Sequence, residues 1–260
     1  MAQEMGFALL EELMDRAWPA PDREDAGGWV LRAAGGVTQR ANSVWPREQA
    51  HDHESAVRIA TQWYRSRRLP LIFQVFDDER SVGLNAVLDA QRFTRQSETL
   101  IMIRAARALP VAPPAGWVND VELSDEPSEE WLRLWWSVDG RGGDAELEIA
   151  RKILAPCPSI YALVRDDDGA SAAVGRLALV DGGGGIYCMA TEAGRRRQGF
   201  GRRVLGALLE AGGHRGVSEF WLLVMASNTG AQALYEGAGF AERGRYLYRQ
   251  ARPRRALSGC

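Results

Sequence analysis

Between Ile186 and Met225 the chain sets a strand (186–191), the loop Arg196-Arg197-Gln198-Gly199-Phe200-Gly201, a helix from Gly201 to about Ala211, and a wholly apolar strand (220–225). An uninterrupted apolar run of strand length belongs in the middle of a sheet, buried on both faces. Strands alternating with helices in this way predict an α/β chain with helices packed on a sheet.

The loop has a chemistry of its own. Gly199 and Gly201 allow backbone geometries and close approaches that a Cβ blocks. Successive amide N–H groups at the head of a helix, with the positive end of its dipole, attract an anion. Arg196, Arg197 and Arg202 flank these amides. The combination suits a pyrophosphate, although a short Gly-x-Gly with arginines describes a surface turn about as often. A dinucleotide-binding loop needs three spaced glycines after the first strand of a parallel unit. A P-loop needs Gly-Lys-Ser/Thr, and here Gly201 is followed by Arg202-Arg203. Both are excluded.

Leu109-Pro110-Val111-Ala112-Pro113-Pro114-Ala115-Gly116 continues neither a helix nor a central strand. Read as a linker over 109–116, it divides the chain into 1–108 and 117–260, each long enough for a small domain. The second half predicts a strand at 117–123, a helix capped by Ser128 through Val138 and a helix over 144–154. Strands at 159–165 and 172–180 follow, joined by Asp166-Asp167-Asp168-Gly169, and after the apolar strand come a helix over 228–236 and a strand over 240–249. The first half predicts a helix over 8–17, strands at 29–33 and 38–45 about Gly35-Gly36, a helix over 54–67, an apolar strand at 71–76, a helix near 82–90 and a strand at 99–104. Residues 86–93 match 233–240 at a spacing of 147 residues, a faint repeat that duplication and chance likeness both explain.

The order strand, Arg-x-x-Gly-x-Gly, helix, apolar strand, Asn, helix with Tyr, Gly-Phe, strand resembles the GNAT superfamily of N-acetyltransferases. Arg196, Gly199, Gly201, Asn228, Ala231, Leu234, Tyr235, Gly239 and Phe240 carry the likeness, which covers about residues 117–250. Segments 27–32 and 40–44 resemble a tandem subgroup of that superfamily. The resemblance implies the GNAT fold twice over, with a degenerate N-terminal domain (1–108) and a catalytic one (117–260). It implies a mixed sheet splayed open after the strand ending at Thr191, with acetyl-CoA, the co-substrate, lying in the opening. Backbone groups of Met189, Ala190 and Thr191 would pair with the pantetheine arm, and an N–H near Met189 would stabilise the developing oxyanion. Arg196 and the amides of Arg197, Gln198, Gly199, Phe200, Gly201 and Arg202 would hold the pyrophosphate, and Asn228 would bond the cofactor arm. Tyr235 matches the family's usual general acid, a phenol that protonates the departing thiolate when an amine attacks.

The general base stays open. Many relatives carry a glutamate on the strand before Asn228, whereas Phe220–Val224 holds no ionisable group. Glu192, Glu146 and Glu148 are candidates, each also readable as a surface carboxylate. Trp131 and Trp135 share a helix face, and whether they wall an acceptor site or simply pack the core is equally open. The loop Gly140-Arg141-Gly142-Gly143 beside them is flexible enough to gate entry. In the first half, Arg47-Glu48-Gln49-Ala50-His51-Asp52-His53-Glu54 stands where the glycine loop should be, and Leu88 stands in place of Tyr235. Acids there repel pyrophosphate, so only one half is expected to hold the cofactor. His51, Asp52 and His53 read as helix-start polarity rather than a metal site.

Thirty-two basic residues against 34 acidic ones leave a formal net charge of -2, so no large basic field remains for nucleic acid or an anionic membrane. The tail arginines Arg249, Arg252, Arg254 and Arg255 read as a solvated end. Cys157, Cys188 and Cys260 have no metal-ligand spacing. The amphipathic N-terminus is not a signal peptide and no apolar run reaches membrane-span length, so a cytoplasmic protein without metal is expected. The expected function is transfer of the acetyl group of acetyl-CoA to a primary amine of a small molecule or peptide by direct attack. A non-catalytic acyl-CoA-binding or sensor protein is the alternative. Oligomeric state and acceptor identity are not legible.

Overall fold

The computed structural model describes residues 6–106, 121–140 and 142–251. The proline-rich segment 109–116, Arg141, the arginines Arg252, Arg254 and Arg255, and Cys260 lie outside the described residues. In chain order the elements are α1 (Phe7–Ala17), β1 (Asp22–Ala26), β2 (Trp29–Ala33), β3 (Trp45–Pro46), α2 (His53–Ser66), β4 (Ile72–Phe76), α3 (Ser81–Ala90) and β5 (Thr94–Ala105). There follow β6 (Val121–Ser124), α4 (Glu129–Asp139), α5 (Asp144–Leu154), β7 (Ser159–Arg165), β8 (Ser171–Val180) and β9 (Gly183–Thr191). After a short turn of 3-10 helix come α6 (Phe200–His214), β10 (Glu219–Met225), α7 (Thr229–Gly237) and β11 (Ala241–Gln250).

The chain forms two compact units, one of Met1–Pro19 with Leu100–Arg243 and one of Ala20–Thr99 with Gly244–Cys260. In the first, strands lie in the order β5, β10, β9, β8, β7, β6, with β10 parallel to β9 and the pairs from β9 to β6 antiparallel. Helix α6 buries Val204, Leu205, Leu208 and Leu209 against one face, together with Ile160, Leu177, Ile186, Phe220 and Leu222. The other face takes α1 and α4. Helix α4 starts where the sequence calls for it: the Ser128 side chain accepts from the Trp131 N–H at 3.1 Å, with Glu129 and Glu130 in the first turn. Helix α1 is amphipathic, burying Leu10, Leu13, Met14 and Ala17 at helical spacing.

That face also buries a cation. Arg176 of β8 is fully enclosed and donates to Ser159 Oγ (2.9 Å), to the Ala17 carbonyl (3.0 Å) and to the Leu154 carbonyl (3.3 Å). Ala17 and Leu154 are the last residues of α1 and α5, so the guanidinium meets the negative ends of two helix dipoles. The rings of Trp18, Tyr161 and Tyr187 lie about it at 5.9, 6.0 and 6.0 Å.

In the second unit β1, β2 and β3 form an antiparallel sheet, and β4 pairs antiparallel with β11 from Phe76↔Tyr246 to Ile72↔Gln250. Trp29, Leu31, Val44, Trp63, Tyr64, Phe73, Leu84 and Leu88 form its core. Arg249 is buried there, donating to Asn85 at 2.6 Å and pairing with Asp89.

Several expectations differ from these elements. Residues 38–43 are not strand; Asn42 accepts from the Ala34 and Gly36 amides (2.8 Å each), and Thr38 has φ +65°, so side-chain bonding replaces a ladder. Strand β2 turns instead on Gly27-Gly28 to pair with β1. Strand β9 begins at Gly183, inside a glycine run that reads as loop; at Gly185 a Cβ would lie 2.7 Å from the Trp221 ring. The unit boundaries also differ from a cut at 109–116. The apolar stripe of α1 and the Arg176 bond to Ala17 join the N-terminal helix to the first unit, and pairing with β4 joins the end of β11 to the second.

Candidate active site

The site is built where two parallel strands part. Strands β9 and β10 pair from Gly183↔Glu219 to Ile186↔Leu222 and no further, although β9 continues to Thr191 and β10 to Met225. On the other side of β9, the Val174↔Ala190 pair is followed directly by Arg176↔Tyr187, so Cys188 and Met189 both stand opposite Gly175. This is a β-bulge, with Cys188 at φ +53°, and a bulge bends its strand. Beyond the split, Met189 and Thr191 are half-buried and Ala190 is buried.

The next segment is the glycine loop. Gly199 caps α6 at φ +89°, which favours glycine, and Arg197 is also left-handed at φ +65°. The Arg202 and Arg203 amides turn back to the Gly199 carbonyl at 3.0 and 3.1 Å. The amides of Arg197, Gly199, Phe200 and Gly201 have no backbone acceptor among the described residues. Arg196, Arg197, Gln198 and Arg202 are exposed around them, and Phe200 is buried under α6. At Gly201 a Cβ would meet Thr191 Oγ1 at 3.6 Å and Leu234 at 3.7 Å, which is ordinary contact, so packing does not demand glycine there. The head of α2 in the other unit is different. Asp52 accepts from the Ser55 amide at 2.9 Å, placing a carboxylate where α6 presents bare N–H groups, and Arg47 pairs with Asp25 at 3.2 Å.

Helix α7 lies against the head of α6, through Leu234 near Gly201 and the Arg202 guanidinium near Gly237. Asn228 caps α7, accepting from the Ala231 amide at 3.1 Å, and is exposed. Tyr235 is buried, its ring edge-on to Phe240 at 6.2 Å. Burial, with a smaller contribution from the Asp139 carboxylate, pushes the phenol up to about 12.

The aromatic helix resolves toward packing. Trp131 and Trp135 are buried, and the Trp131 indole N–H donates to the carbonyls of Ala162 (3.0 Å) and Gly175 (3.1 Å). Trp136 donates to the Gly142 carbonyl at 3.1 Å. The acids considered as bases are occupied or turned aside: Glu146 accepts from the Gly143 amide at 2.8 Å, Glu148 pairs with Arg151 at 2.9 Å, and Glu192 lies against Gly194. One structural residue escaped sequence reasoning: Arg176 had a readable signal, a lone cation in an otherwise apolar strand. Among the described residues no cluster of three or more His, Cys, Asp or Glu is arranged to hold a metal, and no helix is long and apolar enough to cross a membrane.

Known proteins share this architecture. The family described as probable histone acetyltransferase Rv0428c, C-terminal, matches residues 8–249. A Bacillus subtilis protein described as an uncharacterized N-acetyltransferase, YobR, is 26% identical over 242 residues, covering 92% of this chain and 96% of that one. The probable histone acetyltransferase Rv0428c of Mycobacterium tuberculosis is 28% identical over 237 residues, covering 89% of this chain and 69% of that one. Among solved structures, a GCN5-related N-acetyltransferase from Kribbella flavida aligns with a TM-score of 0.72 at 19% identity, over 96% of this chain and 97% of its own. A tandem GNAT protein from the clavulanic acid biosynthesis pathway aligns with a TM-score of 0.64 at 14% identity, over 91% of this chain and 86% of its own. With the family match running almost from end to end and the GNAT fold recovered in three dimensions, the chain belongs to the Rv0428c C-terminal family of GNAT N-acetyltransferases.

Proposed function

We propose that the unit containing α6 and α7 transfers the acetyl group of acetyl-CoA to a primary amine by direct attack. The observation that carries this reading is the set of amides of Arg197, Gly199, Phe200 and Gly201, without a backbone acceptor among the described residues, at the head of α6 and after the strand that leaves its neighbour. Unsatisfied donors with a helix dipole behind them suit a pyrophosphate, and Arg196, Arg197 and Arg202 add charge around them. Acetyl-CoA supplies the activated acyl group. The edge of β9 from Met189 to Thr191 pairs with its pantetheine arm, and an N–H at the bulge stabilises the charge that develops on the thioester oxygen. Asn228, whose carbonyl oxygen caps α7, has its side-chain NH2 left to bond the arm.

Tyr235 holds its proton throughout the working pH range, since burial raises it to about 12. It donates a hydrogen bond to the departing thiolate. Complete transfer to a thiolate of ordinary acidity would run uphill by roughly 3–4 pH units, so the phenol relays the amine's proton to sulfur rather than giving up its own. The second unit has Asp52 at the head of α2 and Leu88 in place of a phenol, and does not duplicate the site.

Purified protein with acetyl-CoA and a panel of amines should release free thiol. Tyr235→Phe should slow turnover by about 10- to 100-fold with acetyl-CoA affinity within a factor of about two. Tight acetyl-CoA binding without turnover of any amine would make the protein an acyl-CoA sensor instead.

A further inference from the structure

We propose that the second unit has a binding cleft of its own, built for a small zwitterion with an apolar body, a free amino acid or a dipeptide. The proposal is independent of the transferase reading, because every residue it uses belongs to the unit without the glycine loop.

The site is a cleft of about 510 Å³ where β4 and β5 flank β11. That volume lies within the range of roughly 300–1,000 Å³ usual for small-molecule sites. The register pairs Val75↔Leu247 and Phe76↔Tyr246 give the cleft an apolar lining, with the Phe76 and Tyr246 rings 5.5 Å apart. Charged residues join this lining through an irregularity in β5. A regular strand turns residues three apart to opposite faces. Ser97 interrupts the alternation at φ +51°, and Arg95 and Glu98 both line the one cleft.

The charges are arranged as a dipole. Arg95 pairs with Asp89 of α3 at 3.1 Å, and the same carboxylate takes the buried Arg249. Two guanidiniums on one carboxylate leave a positive charge unbalanced there. Asn85, one turn before Asp89 on α3, also lines the cleft. Its carbonyl oxygen is taken by Arg249 at 2.6 Å, which leaves its NH2 to donate to a ligand. About Arg245 the balance is reversed. The Arg245 guanidinium pairs with Glu98 at 2.9 Å, and its carbonyl accepts from the Asp77 N–H at 3.0 Å, which brings a second acid to the same place. Two carboxylates about one guanidinium leave a negative charge unbalanced. A simple anion would meet Asp77 and Glu98 here, and a simple cation would meet Arg95. A zwitterion suits both, with its carboxylate toward Arg95 and Asn85, its ammonium toward Asp77 and its apolar part on Val75 and Leu247.

The test is calorimetric titration of the full chain with the apolar L-amino acids and with their dipeptides with leucine. At least one should bind with a Kd below about 1 mM, and the series that binds tells a free amino acid from a peptide. The binder's analogues lacking the ammonium or the carboxylate (for leucine, 4-methylpentanoate and 3-methylbutylamine) should each bind at least about tenfold more weakly. Asp77→Asn and Arg95→Gln should each weaken the zwitterion about tenfold. Both residues are exposed and a surface ion pair contributes little, so melting should stay within about 2 °C of wild type. Asp77→Asn should leave binding of the analogue without an ammonium unaltered, and Arg95→Gln that of the analogue without a carboxylate. The proposal is overturned if nothing in the panel binds at about 10 mM, or if a singly charged analogue binds as tightly as the zwitterion. Zwitterion binding unchanged in either variant overturns it too, since the ligand then sits elsewhere on the protein.

Discussion

Trp221 donates its indole N–H to the Tyr187 hydroxyl at 2.9 Å, one residue beyond the last β9 position that pairs with β10. Both side chains are buried, so the bond ties the two strands together where their ladder ends. Tyr187→Phe would leave the indole N–H unsatisfied at a cost of about 1–3 kcal/mol. The expected outcome is a melting temperature lower by roughly 3–10 °C, read by thermal and urea unfolding. An unchanged midpoint would show that the pair does not hold the split.

Arg176 joins the ends of α1 and α5 to β8 through neutral oxygens. Arg176→Met strands two helix-terminal carbonyls in the core and should cost about 3 kcal/mol or more. Arg176→Lys should not rescue it, because one ammonium cannot span three acceptors set around a fork. Release of α1 should appear as faster amide exchange over residues 7–17, and protection equal to wild type would count against the tie.

Gly201→Asp separates ligand binding from folding. The position has room for a Cβ, and an acid in the first turn suits the helix dipole, so stability should shift by less than about 0.5 kcal/mol. Acetyl-CoA affinity, measured by calorimetry, should still fall at least about tenfold because a carboxylate replaces open space beside the amides proposed to hold the pyrophosphate. Unaltered affinity would remove the pyrophosphate from this loop.

Tyr235 links stability to alkaline pH. Its folded value of about 12 lies above the ordinary 10.0, so its contribution is complete below pH 10 and is lost as pH rises through 12. The full loss is roughly 3 kcal/mol. Burial also raises Tyr64, Tyr161 and Tyr248, so Tyr235→Phe should remove only part of the alkaline loss. Urea midpoints at pH 9 and pH 11.5 measure it, and an identical pH dependence in the variant would contradict the burial of this phenol.

Much of the fold is legible because local patterns carry it. Helix α5 has the span its sequence predicts, α4 starts at Ser128, and the apolar run 220–225 is a central strand, since caps and hydrophobic periods act over a few residues. Strand β9 is underestimated because glycine reads as loop, whereas Gly183–Gly185 are glycines to admit Phe220 and Trp221 from the adjoining strand. The loop at 196–201, Asn228 and Tyr235 can be picked out because they follow one another on consecutive elements. Arg176 stands out in the sequence as a lone cation in an apolar strand, but its partners Ala17, Leu154 and Ser159 cannot be read there, because only the fold brings them around it.

The sequence by itself determined the helices, most strands, the glycine turn at the head of α6 and the membership of the acetyltransferase family, all written in short-range patterns. Tertiary structure alone decided where β9 and β10 part and which unit takes α1 and the end of β11. Those outcomes depend on which surfaces meet between elements separated along the chain, and no local period or spacing encodes that.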